Sequence, residues 1–229
     1  MSQLIVYQGA FGIALATDSR AVRFTASGDP SYFSVSKLYP LNPTTVLATV
    51  GAGYGHLLCQ AFQQGFQRLP HVHGEDITEL ALPFLRDGLQ AQPAPAASQD
   101  GDSELQLVYF VIAGTITGRQ DCPLGFVVYA SEQATEPLHP LATGHFVCIP
   151  RQLSMETRLQ QLSVDEVSWE QVEEMCRHLL VRMAAASEDV GPPFLLTRIT
   201  PDGILTRVVE DPAVERMPLS RNREESITP

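Results

Sequence analysis

A four-layer α+β sandwich, with helices outside two face-to-face sheets (αββα), is the fold that this sequence predicts, and three observations predict it. Strand-like runs are joined by short turns, Gln8-Gly9-Ala10 near one end and Pro201-Asp202-Gly203 near the other, so the sheets should be largely antiparallel. Helical periodicity comes in two groups separated by strands. The resulting order, strands, two helices, strands, helices, strands, lets each helical group cover the outer face of one sheet. A chain of 229 residues can build this as one unit. Residues 1–209 are read as a single domain and 210–229 as a charged, Pro-containing, frayed tail.

Taken in order, residues 4–7 are apolar with β-branched members, and residues 11–17 resume the strand after the turn, making a hairpin. Asp18-Ser19-Arg20 closes it with three polar residues. A polar, Gly- and Ser-bearing stretch follows from Thr25 to Ser36. Then come Lys37-Leu38-Tyr39, an Asn42-Pro43 turn and a strand over 45–50. Gly51-Ala52-Gly53-Tyr54-Gly55 breaks that strand. A helix is expected over 56–68, with Leu58, Phe62 and Phe66 on one face and Pro70 ending it. Asp76 can cap a second helix carrying Ile77, Leu80, Ala81, Phe84 and Leu85 on one side, kinked or split at Pro83. Residues 90–104 form a Pro/Ala/Ser-rich surface loop. Strands resume over 105–113, 125–130 and 146–149. Ser168-Trp169-Glu170-Gln171 has the form of a capping box opening a long helix lined by Val172, Met175, Leu179 and Met183. Gly191-Pro192-Pro193 stops it, and a hairpin over 194–209 ends the domain.

Composition removes several function classes. Hydrophobic content of 44% with 18% charge is that of a folded chain. No apolar run approaches the ~20 residues of a membrane helix. Met1-Ser2-Gln3-Leu4 has no cation before its short apolar stretch and is not read as a secretory signal. A net charge of −11 argues against nucleic acid or an anionic membrane as partner. Cys59, Cys122, Cys148 and Cys176 are widely spaced and read as four buried thiols in a reducing cytoplasm. His71, His73, Glu75 and Asp76 fall between helices and are read as a solvated loop, so no metal and no cofactor are expected. The Gly-rich run at 51–55 lacks the Lys-Ser/Thr of a phosphate loop. Of the 15 basic residues 14 are Arg, and Lys37 is the sole lysine. An ammonium is a compact charge with an adjustable pKa, which a guanidinium is not. A chain that uses Arg elsewhere therefore marks Lys37 as a candidate for chemistry.

Several of these residues together resemble a known family. Ser2, followed by a hairpin and a strand ending in Asp18-Ser19-Arg20, resembles the start of mature proteasome β-type subunits, and the sixteen positions from Ser2 to Asp18 match its spacing. Lys37-Leu38, Asn42-Pro43 and Thr49-Val50-Gly51-Ala52-Gly53 resemble the next part of the pattern. Val190-Gly191-Pro192-Pro193 is most similar to Anbu, the bacterial proteasome-like branch. The resemblance implies the N-terminal nucleophile hydrolase fold, a homo-oligomer (ring or spiral), and peptide or unfolded protein as substrate. It names no unfoldase.

It also implies residue roles. Removal of Met1 would free the Ser2 α-amine, whose ordinary pKa of ~7.7–8.0 suits a general base near neutrality. The Ser2 hydroxyl would attack an acyl carbon and the amine would take its proton. Lys37 would sit beside that hydroxyl and Asp18 would hold Lys37. The Gly51 N–H would face the oxyanion, with Gly53 as the alternative. Arg20 is expected to support the site by pairing with a carboxylate. The family's supporting Ser and Asp-x-x-Ser have no clean counterpart in Ala142-Thr143-Gly144-His145 or Ala186-Ser187-Glu188-Asp189, where Asp189 or Ser187 could substitute. Two other readings remain open: an inactive assembly or binding subunit, and an amidase acting on a small amide without a chamber.

Overall fold

The computed structural model describes residues 2–24, 28–69, 74–91, 107–116, 124–131, 137–162 and 164–210. Met1, Cys122, His71, His73, most of the Pro/Ala/Ser-rich loop and the tail beyond 210 lie outside them.

The strands are β1 (Leu4–Gly9), β2 (Gly12–Asp18), β3 (Arg20–Phe24), β4 (Pro30–Ser34), β5 (Leu38–Asn42), β6 (Thr45–Gly51), β7 (Val108–Thr115), β8 (Leu124–Ser131), β9 (His139–Leu141), β10 (Phe146–Ile149), β11 (Phe194–Thr200) and β12 (Gly203–Val209). The helices are α1 (Tyr54–Phe66), α2 (Gly74–Gln90), α3 (Leu153–Gln160) and α4 (Trp169–Ala186). One five-stranded sheet runs β10-β1-β2-β11-β12 and the other β5-β6-β7-β8-β9, with β3-β4 a separate ribbon. Among the described residues all strand pairings are antiparallel.

Three apolar clusters separate four layers. Leu4, Val6, Ile13 and Leu15 meet Val46, Ala48, Val111 and Val128 between the sheets. Ile5, Tyr7 and Ala16 face Met155, Val172, Cys176 and Leu180 of α3 and α4. Leu47, Phe110 and Ile112 face Leu58, Phe62, Ile77 and Leu85 of α1 and α2. Adjacent residues of β1 thus enter different clusters, so a strand covered on both faces reads as an unbroken apolar run.

The β1–β2 register pairs Leu4 with Thr17 and Gly9 with Gly12. Gly12 has φ of +115°, and a Cβ there would strike the Ile199 carbonyl, so the turn needs glycine. This hairpin returns the chain to its own beginning and sets Asp18 beside Gln3.

The polar stretch before Lys37 is a second hairpin. β3 and β4 pair from Arg20–Ser34 to Phe24–Pro30, and Val35 N–H extends the closure to the Ser19 carbonyl at 2.8 Å. Every residue of β4 is exposed, so no buried face imposes the alternation by which a strand is read. The ribbon brings Lys37 back to Asp18.

Several local readings change. α2 begins at Gly74, so Asp76 lies inside its first turn, and the helix runs through Pro83 without a break. Pro83 is on the exposed side, where water can replace the lost backbone bond. Leu80 and Phe84 are 41% and 40% exposed, at the rim of the face formed by Ile77, Ala81 and Leu85. The short elements α3 and β9 carry no sequence signal strong enough to be read. The capping box is present: Gln171 N–H donates to Ser168 Oγ and Ser168 N–H to Gln171 Oε1. Among the described residues no helix is long and apolar enough to cross a membrane.

Candidate active site

The site begins where β1 and β2 end. Asp18, wholly buried, carries three donors on its carboxylate. Lys37 Nζ is 2.6 Å from Oδ1, the Gln3 backbone N–H donates to the same oxygen at 2.8 Å, and the Arg20 backbone N–H reaches Oδ2 at 3.1 Å. The ammonium of Lys37 and the peptide joining Ser2 to Gln3 are therefore within two hydrogen-bond lengths of each other. Thr17 Oγ1 donates to the Gln3 carbonyl at 2.8 Å, and the Gln3 side chain reaches the Pro150 carbonyl at 3.3 Å. The first residues of the chain are clamped on both sides of their backbone. Ser2 is partly buried just beyond the clamp.

Lys37 is also wholly buried. Loss of water pulls its ammonium below the ordinary lysine range, and the Asp18 charge opposes that shift. Thr49 N–H donates to the Lys37 carbonyl at 3.1 Å, which ties Lys37 to β6. Two residues further along β6, Gly51 is exposed, has φ of +104°, and would drive a Cβ into the Leu107 carbonyl. Gly53, the N-cap of α1, has ordinary helical angles and open space where a Cβ would go. Backbone geometry demands glycine at 51 and not at 53.

Arg20 lies on the outer side of the same corner. Its Nη1 donates to the Glu188 carbonyl at 2.8 Å, and its guanidinium is 5.5 Å from the centre of the Tyr32 ring. A backbone carbonyl thus accepts where a carboxylate is the sequence expectation. A side chain at Gly191 would collide with this guanidinium. Asp189 sits in the same turn, where its amide bonds Ser187 Oγ and its charge helps to raise the Tyr32 hydroxyl pKa. The turn is held to Ser19 by the Gly191 carbonyl. Residues 142–145 are fastened elsewhere, His145 accepting from Gln8 N–H at 2.7 Å toward the other end of β1.

Thr17, Gln3, Tyr39 and His56 are absent from the sequence-derived site. Thr17 reads only as the last residue of a strand, and a clamp on a carbonyl across a hairpin has no linear signature. The Tyr39 hydroxyl contacts both His56 Nδ1 and the Ser36 carbonyl at 3.0 Å. The three described cysteines are free and buried. Burial pushes the Cys59 thiol well up and that of Cys148 to about 12, so neither is a thiolate nucleophile near neutrality.

Comparison with solved structures identifies the architecture. Anbu from Hyphomicrobium sp. strain MC1, determined as a mutant, superimposes with a TM-score of 0.65 over 92% of this chain and 87% of that one, at 10% identity. This is the Anbu fold. A second Anbu, described as an ancestral beta-subunit and taken from Yersinia bercovieri, gives a TM-score of 0.64 over 91% and 87%, at 13% identity. No family model and no curated protein sequence matches the chain. The Anbu fold, proteasome-like and αββα, is therefore carried here by a sequence that shares few residues with those two relatives. At such identity the fold transfers and the chemistry does not.

Proposed function

We propose that this chain is a proteasome-like peptidase in which Ser2, exposed as the N-terminal residue once Met1 is removed, is the nucleophile. The observation that carries this reading is the shared Asp18 oxygen: one buried carboxylate holds the sole lysine and the backbone of the chain's first residues together.

The Ser2 hydroxyl adds to the acyl carbon of a peptide bond, and its proton passes to the Ser2 α-amine. Lys37, kept cationic by Asp18, lowers the energy of the alkoxide as it forms and holds the amine pKa down, so the base is free near neutral pH. The negative charge that develops on the carbonyl oxygen falls to the N–H of Gly51, whose backbone a substrate can approach closely. The amine returns its proton to the leaving nitrogen, and the C–N bond breaks to leave a Ser2 ester. Water adds to the ester, gives a proton back to Ser2 Oγ, and releases the acid. Arg20 and the Glu188–Gly191 turn support the corner from outside. Serine is less stiff about χ1 than the β-branched threonine typical of the family, so attack is expected to be slower. Copies of the chain are proposed to assemble into a ring or spiral around the sites.

The test joins intact mass to turnover. The expected results are a mass lacking Met1 and cleavage of fluorogenic peptides that Ser2→Ala abolishes. A retained or blocked Met1, with no cleavage, would instead support an assembly or binding subunit.

A further inference from the structure

His56 stands in the first turn of α1, outside every role assigned above. Its ring is partly buried, and Nδ1 lies 3.0 Å from the Tyr39 hydroxyl, which also lies 3.0 Å from the Ser36 carbonyl. A tyrosine hydroxyl has one proton. If that proton goes to the carbonyl, Nδ1 must carry its own and donate to the Tyr39 oxygen, and both contacts are then satisfied. The backbone so fastened belongs to the residue immediately before Lys37. From its other side the same segment is fixed by Thr49 N–H on the Lys37 carbonyl. Ser36 Oγ adds a bond to the Leu38 carbonyl at 2.9 Å. Lys37 is thus flanked by anchors on both sides, and the imidazole is the one anchor among them that can change charge near neutral pH.

We propose that His56 is a positioning residue for Lys37: through Tyr39 it fixes the backbone from which Lys37 reaches Asp18, and a proton on its ring is felt at the Lys37 ammonium. The inference rests on the peptidase reading for its catalytic meaning. The charged groups that bear on the imidazole are Lys37, which disfavours its proton, and Asp18, which favours it; a hydrogen bond to the Ser36 backbone also favours the proton, and Tyr39 is the titratable group in contact. α1 itself contains no charged residue. Burial is the largest influence and, with Lys37, keeps the ring neutral below the ordinary histidine value. Coupling between two sites is reciprocal, so what Lys37 does to His56 a protonated His56 does to Lys37. Its charge would disfavour the Lys37 ammonium, against the Asp18 carboxylate that holds it.

The sole lysine makes the test direct. With 13Cε-lysine labelling the whole protein gives one side-chain resonance. In the wild type that resonance is expected to shift with an inflection below pH ~6.5, the ordinary histidine value, and His56→Gln should abolish the inflection. An inflection that is absent in the wild type, or that survives in His56→Gln, overturns the proposal. Tyr39→Phe, which keeps the ring volume, is the second variant. It should lower kcat about five-fold, the worth of one hydrogen bond, with KM unchanged, and unchanged kcat would count against the anchor. The acid limb of kcat, steeper than a single titration in the wild type, should relax to one titration in His56→Gln. A wild type that shows the inflection but cleaves no peptide would remove the peptidase reading and leave the coupling standing. Cleavage with an inflection insensitive to His56 would do the reverse.

Discussion

Two cations meet the end of β2 in opposite surroundings. Lys37 sits in a dry interior with its charge against one carboxylate oxygen, while Arg20 spreads over the Tyr32 ring and a backbone carbonyl at the rim. Both close the same corner, yet only one is bound to its place by electrostatic necessity. A buried ammonium without its carboxylate is an uncompensated charge, whereas a guanidinium at a wet rim keeps water as an alternative partner.

The sharpest way to break this comparison is to remove one half of the dry pair. Lys37→Met should cost about 3–5 kcal/mol of unfolding free energy, because Asp18 is left charged and unpaired, and should reduce peptide turnover by roughly a hundred-fold or more. Adding Asp18→Asn should restore part of the stability, since the amide keeps one acceptor oxygen for the two backbone donors, and none of the turnover. Urea denaturation of the single and double variants, beside peptide assays, separates the two effects. A double variant as unstable as Lys37→Met would show that the pair does more than neutralise itself. Arg20→Ala at the rim should cost about 1 kcal/mol.

Gly51, which ends β6, and Gly53 just beyond it extend the contrast from side chains to backbone. Gly51→Ala should lose about 1–3 kcal/mol through its positive φ, with a further penalty from the Leu107 carbonyl. Gly53→Ala should stay within about 0.5 kcal/mol of wild type, since its angles suit any residue. Thermal unfolding distinguishes them, and a similar cost at both positions would mean that position 53 needs glycine as much as position 51 does.

These differences also mark what the linear sequence discloses. The first and last hairpins, both sheets' inner strands and the long capped helix were legible because burial on two faces, turn chemistry and a capping box each leave a local pattern. β3 and β4 were not, since an exposed ribbon is under no alternation constraint. For the same reason Arg20 could be assigned a support role but not its carbonyl partner. Lys37 stood out by composition alone, as one lysine among fourteen arginines. Thr17 and His56 share no spacing with Lys37 that a reader could detect, because strand register and helix entry bring them together only in three dimensions, and Tyr39, though two residues from Lys37, carries no linear sign that its hydroxyl turns back to the Ser36 carbonyl.

His56 lies between the dry and wet extremes, and its influence on stability should be the smallest of the set. Its folded pKa is depressed below its unfolded value, chiefly by burial and next by Lys37. Between those two values the unfolded chain binds a proton that the folded chain does not, so stability rises with pH across that window. The contribution is complete above the ordinary histidine value of ~6.5 and disappears as pH falls through the folded pKa. Chemical denaturation at a series of pH values should therefore show the wild type losing stability relative to His56→Gln as pH drops below ~6.5, with the two curves parallel above it. Parallel curves throughout would mean that the ring protonates as readily in the folded protein as outside it, and the imidazole would then belong with Arg20 at the wet rim, not with Lys37.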